Sequence, residues 1–76
     1  MQSMTLPILN AGEIMAHDAT RIVGSVVETI YPPDNKLDGF KQVLLLPDGT
    51  RQSFRLLELQ PASELERRRF VQAVME

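Results

Sequence analysis

The fold is decided by the stretch Phe40-Lys41-Gln42-Val43-Leu44-Leu45-Leu46-Pro47-Asp48-Gly49-Thr50-Arg51-Gln52-Ser53-Phe54. Two β-prone runs meet there at Pro47-Asp48-Gly49. Proline presets φ for the first turn position, aspartate bonds the nearby backbone, and glycine adopts the left-handed conformation without a Cβ clash. Three loop residues that include glycine, set between apolar runs, predict a type I turn with a G1 bulge. The stretch therefore predicts an antiparallel hairpin.

The predicted turn fixes the register of this hairpin, because a slip of one residue would exchange its two faces. With Leu46 opposite Thr50, one face carries an apolar set suited to a core: Phe40, Leu44, Leu46, Phe54 and Leu56. The other face is mixed basic and apolar, and we predict that it is an interaction face formed by Lys41, Val43, Leu45, Arg51 and Arg55. The alternative is that the C-terminal helix covers Val43 and Leu45 while the arginines reach water.

The strongest strand signal outside the hairpin is the β-branched run 21–31. Gly24 within it indicates either a bulge or a close backbone approach. Residues 13–17 alternate weakly, and we place the hairpin strands at about 40–46 and 50–59, with 57–59 either prolonging the strand or forming a 3₁₀ turn. Ser63 followed by Glu66 is a capping box, which predicts a helix at about 64–75.

These elements predict a mainly β, α+β fold with one C-terminal helix. We expect a small curled antiparallel sheet, closed or nearly closed, or an SH3-like barrel, of three to five strands. The domain occupies residues 13–76 and follows an N-terminal arm at 1–12. The strand spacing resembles that of the small SH3-like barrels. Because unrelated proteins share such folds, the resemblance by itself implies no function.

Size and composition narrow the class of protein. A chain of 76 residues buries only about 60–65% of its unfolded surface, so its core is marginal and self-association or a partner is the expected supplement. The chain has no cysteine and a single histidine, which excludes disulfides and disfavours a structural zinc site. We find neither a secretory signal nor an apolar run long enough to cross a membrane, and we expect a cytoplasmic protein.

Candidate catalytic groups are few. Glu13, His17 and Asp18 lie close together in sequence, but a lone histidine with two carboxylates lacks the convergent set that a catalytic or metal site requires. We therefore predict that the protein is not an enzyme and that it needs no cofactor or metal.

Two further features have both a functional and a plain interpretation. The run Arg67-Arg68-Arg69 is either a solvated helix surface, with Arg68 and Arg69 paired to Glu64 and Glu66, or a partner contact. The loop residues Pro33, Asp34, Asn35 and Lys36 are either a binding loop or an ordinary solvated connector.

The resulting hypothesis is a non-catalytic interaction module or accessory subunit that acts through protein–protein contacts, with a homo-oligomer as one form. The alternative is a small-barrel nucleic-acid-binding protein that uses its basic face. Such proteins also stack bases on aromatic side chains, and Tyr31 is the aromatic residue not needed for the core. The net charge of −2 argues mildly against this alternative.

Overall fold

The computed structural model describes residues 8–76. Within that range the strands are β1 (Ile14–His17), β2 (Val23–Ile30), β3 (Lys41–Leu45), β4 (Arg51–Arg55) and β5 (Leu59–Pro61). Two 3₁₀ turns occupy Leu37–Gly39 and Leu56–Glu58, and helix α1 spans Glu64–Met75. Residues 1–7 of the predicted arm lie outside the described part of the chain.

The five strands form one antiparallel sheet in the order β4-β3-β2-β1-β5. The sheet does not close, so β4 and β5 are its edges. This confirms the predicted fold class, a small mainly β, α+β fold with a C-terminal helix. The single strand predicted at 50–59 is wrong in its length, because the chain leaves β4 at Arg55 and makes a 3₁₀ turn before β5.

The predicted hairpin turn is present between β3 and β4. Gly49 has a φ of +88°, the left-handed conformation that glycine adopts most readily. The Leu46 backbone N–H donates to the Thr50 carbonyl at 2.8 Å, and Asp48 accepts bonds from the Thr50 N–H and hydroxyl. The resulting register, with Leu44 opposite Gln52 and Gln42 opposite Phe54, is the predicted one.

The core cluster lies on one face of the sheet and is small, and Ala16 and Ala62 are buried outside it. The cluster comprises Met15, Val26, Leu44 and Phe54, with Ile22, Leu46 and Leu59 packed around them. The His17 ring of β1 lies 4.6 Å from the Phe54 ring of β4, centroid to centroid. These strands are not neighbours in the sheet, so the contact shows that the sheet curls over its own core.

Gly24 faces this core from β2. A Cβ placed there would lie 2.8 Å from the Leu44 Cβ and 2.9 Å from the Leu45 carbonyl oxygen. The close backbone approach indicated by the sequence is therefore confirmed at Gly24. The bulge lies instead between Val26 and Glu28, where the register with β3 shifts.

The end of the N-terminal arm is bound to the sheet by a buried polar clamp. Gln42 is fully buried, and its amide nitrogen donates to the Leu9 carbonyl at 2.9 Å. The Thr29 hydroxyl accepts the Leu9 backbone N–H at 3.0 Å. The Gly12 N–H donates to the Val26 carbonyl. Residues 9–12 therefore pack on their own domain, a point that the sequence left open.

Helix α1 begins as predicted, at the Ser63–Glu66 capping box. Glu66 also receives two hydrogen bonds from the Arg21 guanidinium, the shorter at 2.7 Å. Arg21 adopts a φ of +55° in the turn between β1 and β2. The ion pair therefore fastens the first turn of the helix to this end of the sheet.

We expect the Glu66 contacts to make stability depend on pH. The Ser63 backbone N–H, together with the Arg21 guanidinium, holds the pKa of Glu66 below its ordinary value, against a partial desolvation that raises it. A carboxyl with a lowered folded-state pKa stabilises the fold above its unfolded pKa, about 4.3 for glutamate. That contribution disappears as the pH falls through the folded pKa.

Glu66→Gln should therefore be less stable than wild type near pH 7 in urea unfolding, and the difference should shrink as the pH falls below about 4. Asp48→Asn is the matched comparison. The Thr50 hydroxyl and N–H likewise lower the pKa of Asp48, but Asp48 lies in the hairpin turn, so its substitution leaves the contact between Arg21 and Glu66 in place. An equal deficit for Glu66→Gln at neutral and acidic pH would contradict the linkage.

Candidate interaction surface

The residues predicted to form an interaction face lie together as a grid on the side of the sheet away from the core. We call Lys41, Val43, Leu45, Arg51 and Arg55 the basic face. Directly opposed residues on β2, β3 and β4 form three rows, which are Ile30–Lys41–Arg55, Glu28–Val43–Ser53 and Ser25–Leu45–Arg51. Side chains in the same row share a face. The pairing thus brings all five predicted residues together.

The charges of the basic face are unbalanced. Lys41 lies directly opposite Arg55, an arrangement of like charges that destabilises a sheet. None of the three basic side chains forms an ion pair with a carboxylate of the described residues. Glu28 is the one acidic residue in the three rows, and it lies opposite Val43. The grid therefore has a net charge of +2, from three cations and one carboxylate.

The apolar residues of the basic face are incompletely covered. Val43 and Leu45 are half-buried, and the neighbouring Ile30 keeps 39% of its surface exposed. Cationic and apolar groups side by side on one strand pair match the composition of protein interfaces, which favour arginine and large apolar side chains.

Helix α1 covers a different part of this side of the sheet. Phe70 of α1 lines a small cleft together with Val23 and Pro47, which lie beyond the Ser25–Leu45 row. The rows containing Val43 and Lys41 are farther from the helix. Lys41 and Arg55, at the far end of the grid, are exposed, whereas the alternative in which the helix lies over Val43 and Leu45 stays a prediction.

The outer edge of β4 is also open. Among the described strands, β4 pairs with β3 alone. Gln52 and Ser53 are exposed, as are the two arginines at the ends of the strand. The basic face therefore ends at a sheet edge whose backbone polar groups are available to another strand.

The predicted binding loop is exposed but internally bonded. The Asn35 N–H donates to the Pro32 carbonyl at 3.1 Å, and the Asp34 carboxylate accepts the Lys36 N–H at 3.1 Å. All four predicted residues, Pro33, Asp34, Asn35 and Lys36, are exposed. These local bonds satisfy a turn without any ligand, so the loop has the geometry of a self-contained connector.

The arginine run does not form one patch. Arg68 pairs with Glu64 at 2.7 Å, as the four-residue spacing predicts. The predicted pairing of Arg69 with Glu66 is wrong, because Glu66 binds Arg21 instead. Arg67 lines an open groove beside Ile14 and Val71, whereas Arg69 lines the cleft that contains Phe70.

The histidine cluster assembles different residues from those adjacent in sequence. The His17 Nδ1 lies 2.8 Å from the Thr20 hydroxyl, and its Nε2 lies 3.1 Å from the Glu58 carboxylate. Glu13 is not among these partners. Residues four apart are neighbours in a helix, but β1 is a strand. Over residues 8–76 no group of three or more potential ligands could hold a metal ion. The arrangement fastens the β1–β2 turn to the 3₁₀ turn at Leu56–Glu58.

Two features of the surface escaped the sequence analysis. The first is the groove of about 1000 Å³ between α1 and the Ile14 end of β1, whose helical lining recurs every three or four residues. That recurrence was available as a signal. The second is that Phe70 and Val71, which are adjacent in sequence, line different hollows.

No protein-family model matches the chain, and comparison with curated proteins and with solved structures likewise finds no match. In the described range, α1 is too short and too polar to cross a membrane, and no other helix could do so.

Proposed function

We propose that this protein is a non-catalytic interaction module, or accessory subunit, whose basic face binds an acidic surface of a protein partner. The observation that carries this proposal is Lys41 directly opposite Arg55, with no described carboxylate paired to either. Like charges opposed across a strand pair cost stability. Carboxylates of a partner would relieve that cost, and the contact would become more favourable than two isolated ion pairs.

A partner of different sequence fits this face better than a second copy does. Two copies of the basic face brought together would oppose cations to cations, since Glu28 is the one carboxylate in its rows. Like-charge juxtaposition across an interface is strongly unfavourable. A homo-oligomer through this face is therefore the less supported form of the proposal.

A protein partner also fits better than nucleic acid. Sequence-tolerant binding of single strands combines cations with aromatic side chains on which bases stack. Tyr31 packs against Phe40 with ring centroids 5.0 Å apart, and Phe40 precedes Lys41 on the opposite, core side. The three rows of the grid contain Val43, Leu45 and Ile30 instead, which suit an apolar protein surface.

The architecture supports the proposed likeness to SH3-like barrels in part. Five short antiparallel strands curl until a ring of β1 contacts a ring of β4. The gap between the edges at β4 and β5 departs from a closed barrel.

Lys41→Glu separates binding from folding. It replaces a repulsive cross-strand pair by an attractive one, so the free energy of unfolding should rise by about 0.2–1 kcal/mol. Partner binding should fall about tenfold or more, because a cation that meets the partner's carboxylates becomes an anion. Urea unfolding gives the first quantity.

Binding is read by photo-crosslinking from a probe residue at Ser53 in native cell extract, with a probe at Gln60 of β5 as the positional control. Arg68→Glu makes the same charge change on the helix and should leave the Ser53 adduct unchanged. Loss of the adducts on nuclease treatment would mean that the partner is a nucleic acid and not a protein. Equal adducts from Ser53 and Gln60, or a Lys41→Glu variant that binds normally, would refute the basic face as the binding surface.

A further inference from the structure

The free edge of β4 presents its backbone groups at the same residues that carry the cations. The Leu46 N–H donates to the Thr50 carbonyl, and the Leu56 N–H donates to the Phe40 carbonyl. Hydrogen-bonded and non-hydrogen-bonded residue pairs alternate along an antiparallel ladder, so the backbone groups of Gln52 and Phe54 also bond to β3. The N–H and C=O groups of Arg51, Ser53 and Arg55 consequently point away from the sheet.

The side chains of those same three residues lie on the basic face, in register with Leu45, Val43 and Lys41. A strand added along β4 would therefore extend each row of the grid by one residue. Its residue beside Arg55 would continue the Ile30–Lys41 row, and its residue beside Arg51 would continue the Ser25–Leu45 row. These two positions are four residues apart on the added strand, with one same-face position between them beside Ser53.

We propose that the partner docks as an extended acidic segment that adds to the free edge of β4 as a sixth strand. The segment would carry carboxylates at two positions four residues apart and an uncharged residue midway between them. This inference rests on the proposed function and names the chemistry of the partner. Edge addition obtains affinity from main-chain hydrogen bonds and specificity from alternate side chains, and both elements are present at β4.

Charge complementarity selects this occupant over a second copy of the chain. Antiparallel pairing of two β4 edges about Ser53 would place Arg51 of each copy opposite Arg55 of the other. Charged residues on an edge strand protect a sheet from such self-pairing. An acidic strand reverses the sign of the interaction at both ends, and it would also approach Lys41, the cation next to Arg55.

The probe for the test is the peptide acetyl-Thr-Glu-Thr-Val-Thr-Glu-Thr-amide, with lysine in place of both glutamates as the matched control. We expect the acidic peptide to bind about tenfold more tightly than the lysine peptide, as measured by titration of the backbone amide signals of the full chain by NMR. The largest shifts should lie at Arg51, Ser53 and Arg55. Equal binding of both peptides, or shifts centred elsewhere, would overturn the proposal.

Ser53→Pro tests the edge itself. Proline removes an N–H that points to solvent, which an edge strand tolerates, so the variant should fold and lose peptide binding about tenfold or more. Gln52→Pro is the contrast, because it removes an N–H that bonds β3 and should damage the hairpin. Arg51→Glu with Arg55→Glu, a pair that leaves the backbone intact, should reverse the preference toward the lysine peptide. Failure of that reversal would also overturn the proposal.

The outcomes of these experiments distinguish strand addition at the edge of β4 from the proposed function, which is binding at the basic face. With the crosslinking probe moved to Val43, which lies opposite Ser53 in the same row, a Ser53→Pro variant that retains the partner while Lys41→Glu loses it would leave the proposed function standing and strand addition refuted. If neither change affects capture, both fail. If wild type is a dimer that Ser53→Pro converts to a monomer, the occupant of the edge is a second copy and the acidic segment is wrong.

Discussion

Leu44→Ala is expected to lower the free energy of unfolding by about 2–5 kcal/mol. Leu44 is fully buried at the centre of the core, between Met15, Val26 and Phe54. The substitution removes apolar contacts and leaves a cavity that a short curled sheet has little means to refill. A domain of this size has a total stability of roughly 4–11 kcal/mol, so the substitution should remove a large part of it.

Urea unfolding followed by circular dichroism measures this loss. Leu57→Ala is the matched control, since Leu57 lies in the 3₁₀ turn before β5 with 58% of its surface exposed. Its substitution should change stability by no more than about 0.5 kcal/mol. Similar losses for the two variants would mean that the core is not centred on Leu44, and with it the assignment of the two faces of the hairpin would be wrong.

Gly24→Ala is expected to lower the free energy of unfolding by about 2–3 kcal/mol, although it adds one methyl group. The new Cβ would meet the Leu44 Cβ and the Leu45 carbonyl oxygen at less than 3.0 Å. The second of these is a backbone atom at the last residue of β3, opposite Ser25 of β2, and it yields only if the β2–β3 ladder moves. The measurement is the midpoint of thermal unfolding together with urea unfolding.

Gly12→Ala separates this clash from a conformational cost. Gly12 has a φ of +80°, and a Cβ placed there meets no atom within 4 Å. Alanine at Gly12 should therefore cost about 1–2 kcal/mol, from backbone strain in the left-handed region alone. A Gly24→Ala variant that is more stable than Gly12→Ala would show that β2 and β3 are farther apart than the structure has them.

Both the strength and the limit of the sequence as a guide are visible in the β3–β4 hairpin. Its register follows from Pro47, Asp48 and Gly49, whose preferences act within four residues of chain, and the register in turn assigned Leu44 and Phe54 to the core. The basic face was predictable for the same reason, because alternation along a strand follows directly from the register. What alternation leaves open is whether anything covers a face.

The contacts that the sequence did not reveal join residues far apart in the chain. Glu66 was expected to pair with Arg69 on its own helix, but it binds Arg21, which is 45 residues away. His17 binds Glu58, which is 41 residues away, in place of the nearby Glu13. The local partners were plausible by spacing. The distant partners became available only when the curled sheet brought the β1–β2 turn close to the 3₁₀ turn at Leu56–Glu58 and to the first turn of α1.

The order of the amino acids was enough to predict the hairpin, its register, the start of α1 and the two chemically different faces of β3 and β4. Each of these depends on turn chemistry, capping or alternation, and the energies involved act between residues close in the chain. Only the folded chain shows that the sheet stays open, that α1 lies at the Val23 end and leaves Lys41 and Arg55 exposed, and that β4 pairs on one side only among residues 8–76. Those outcomes depend on how far the sheet curls, which is set by packing of Gly24 against Leu44 and of His17 against Phe54 across the core, and no local pattern encodes the sum of such distant contacts.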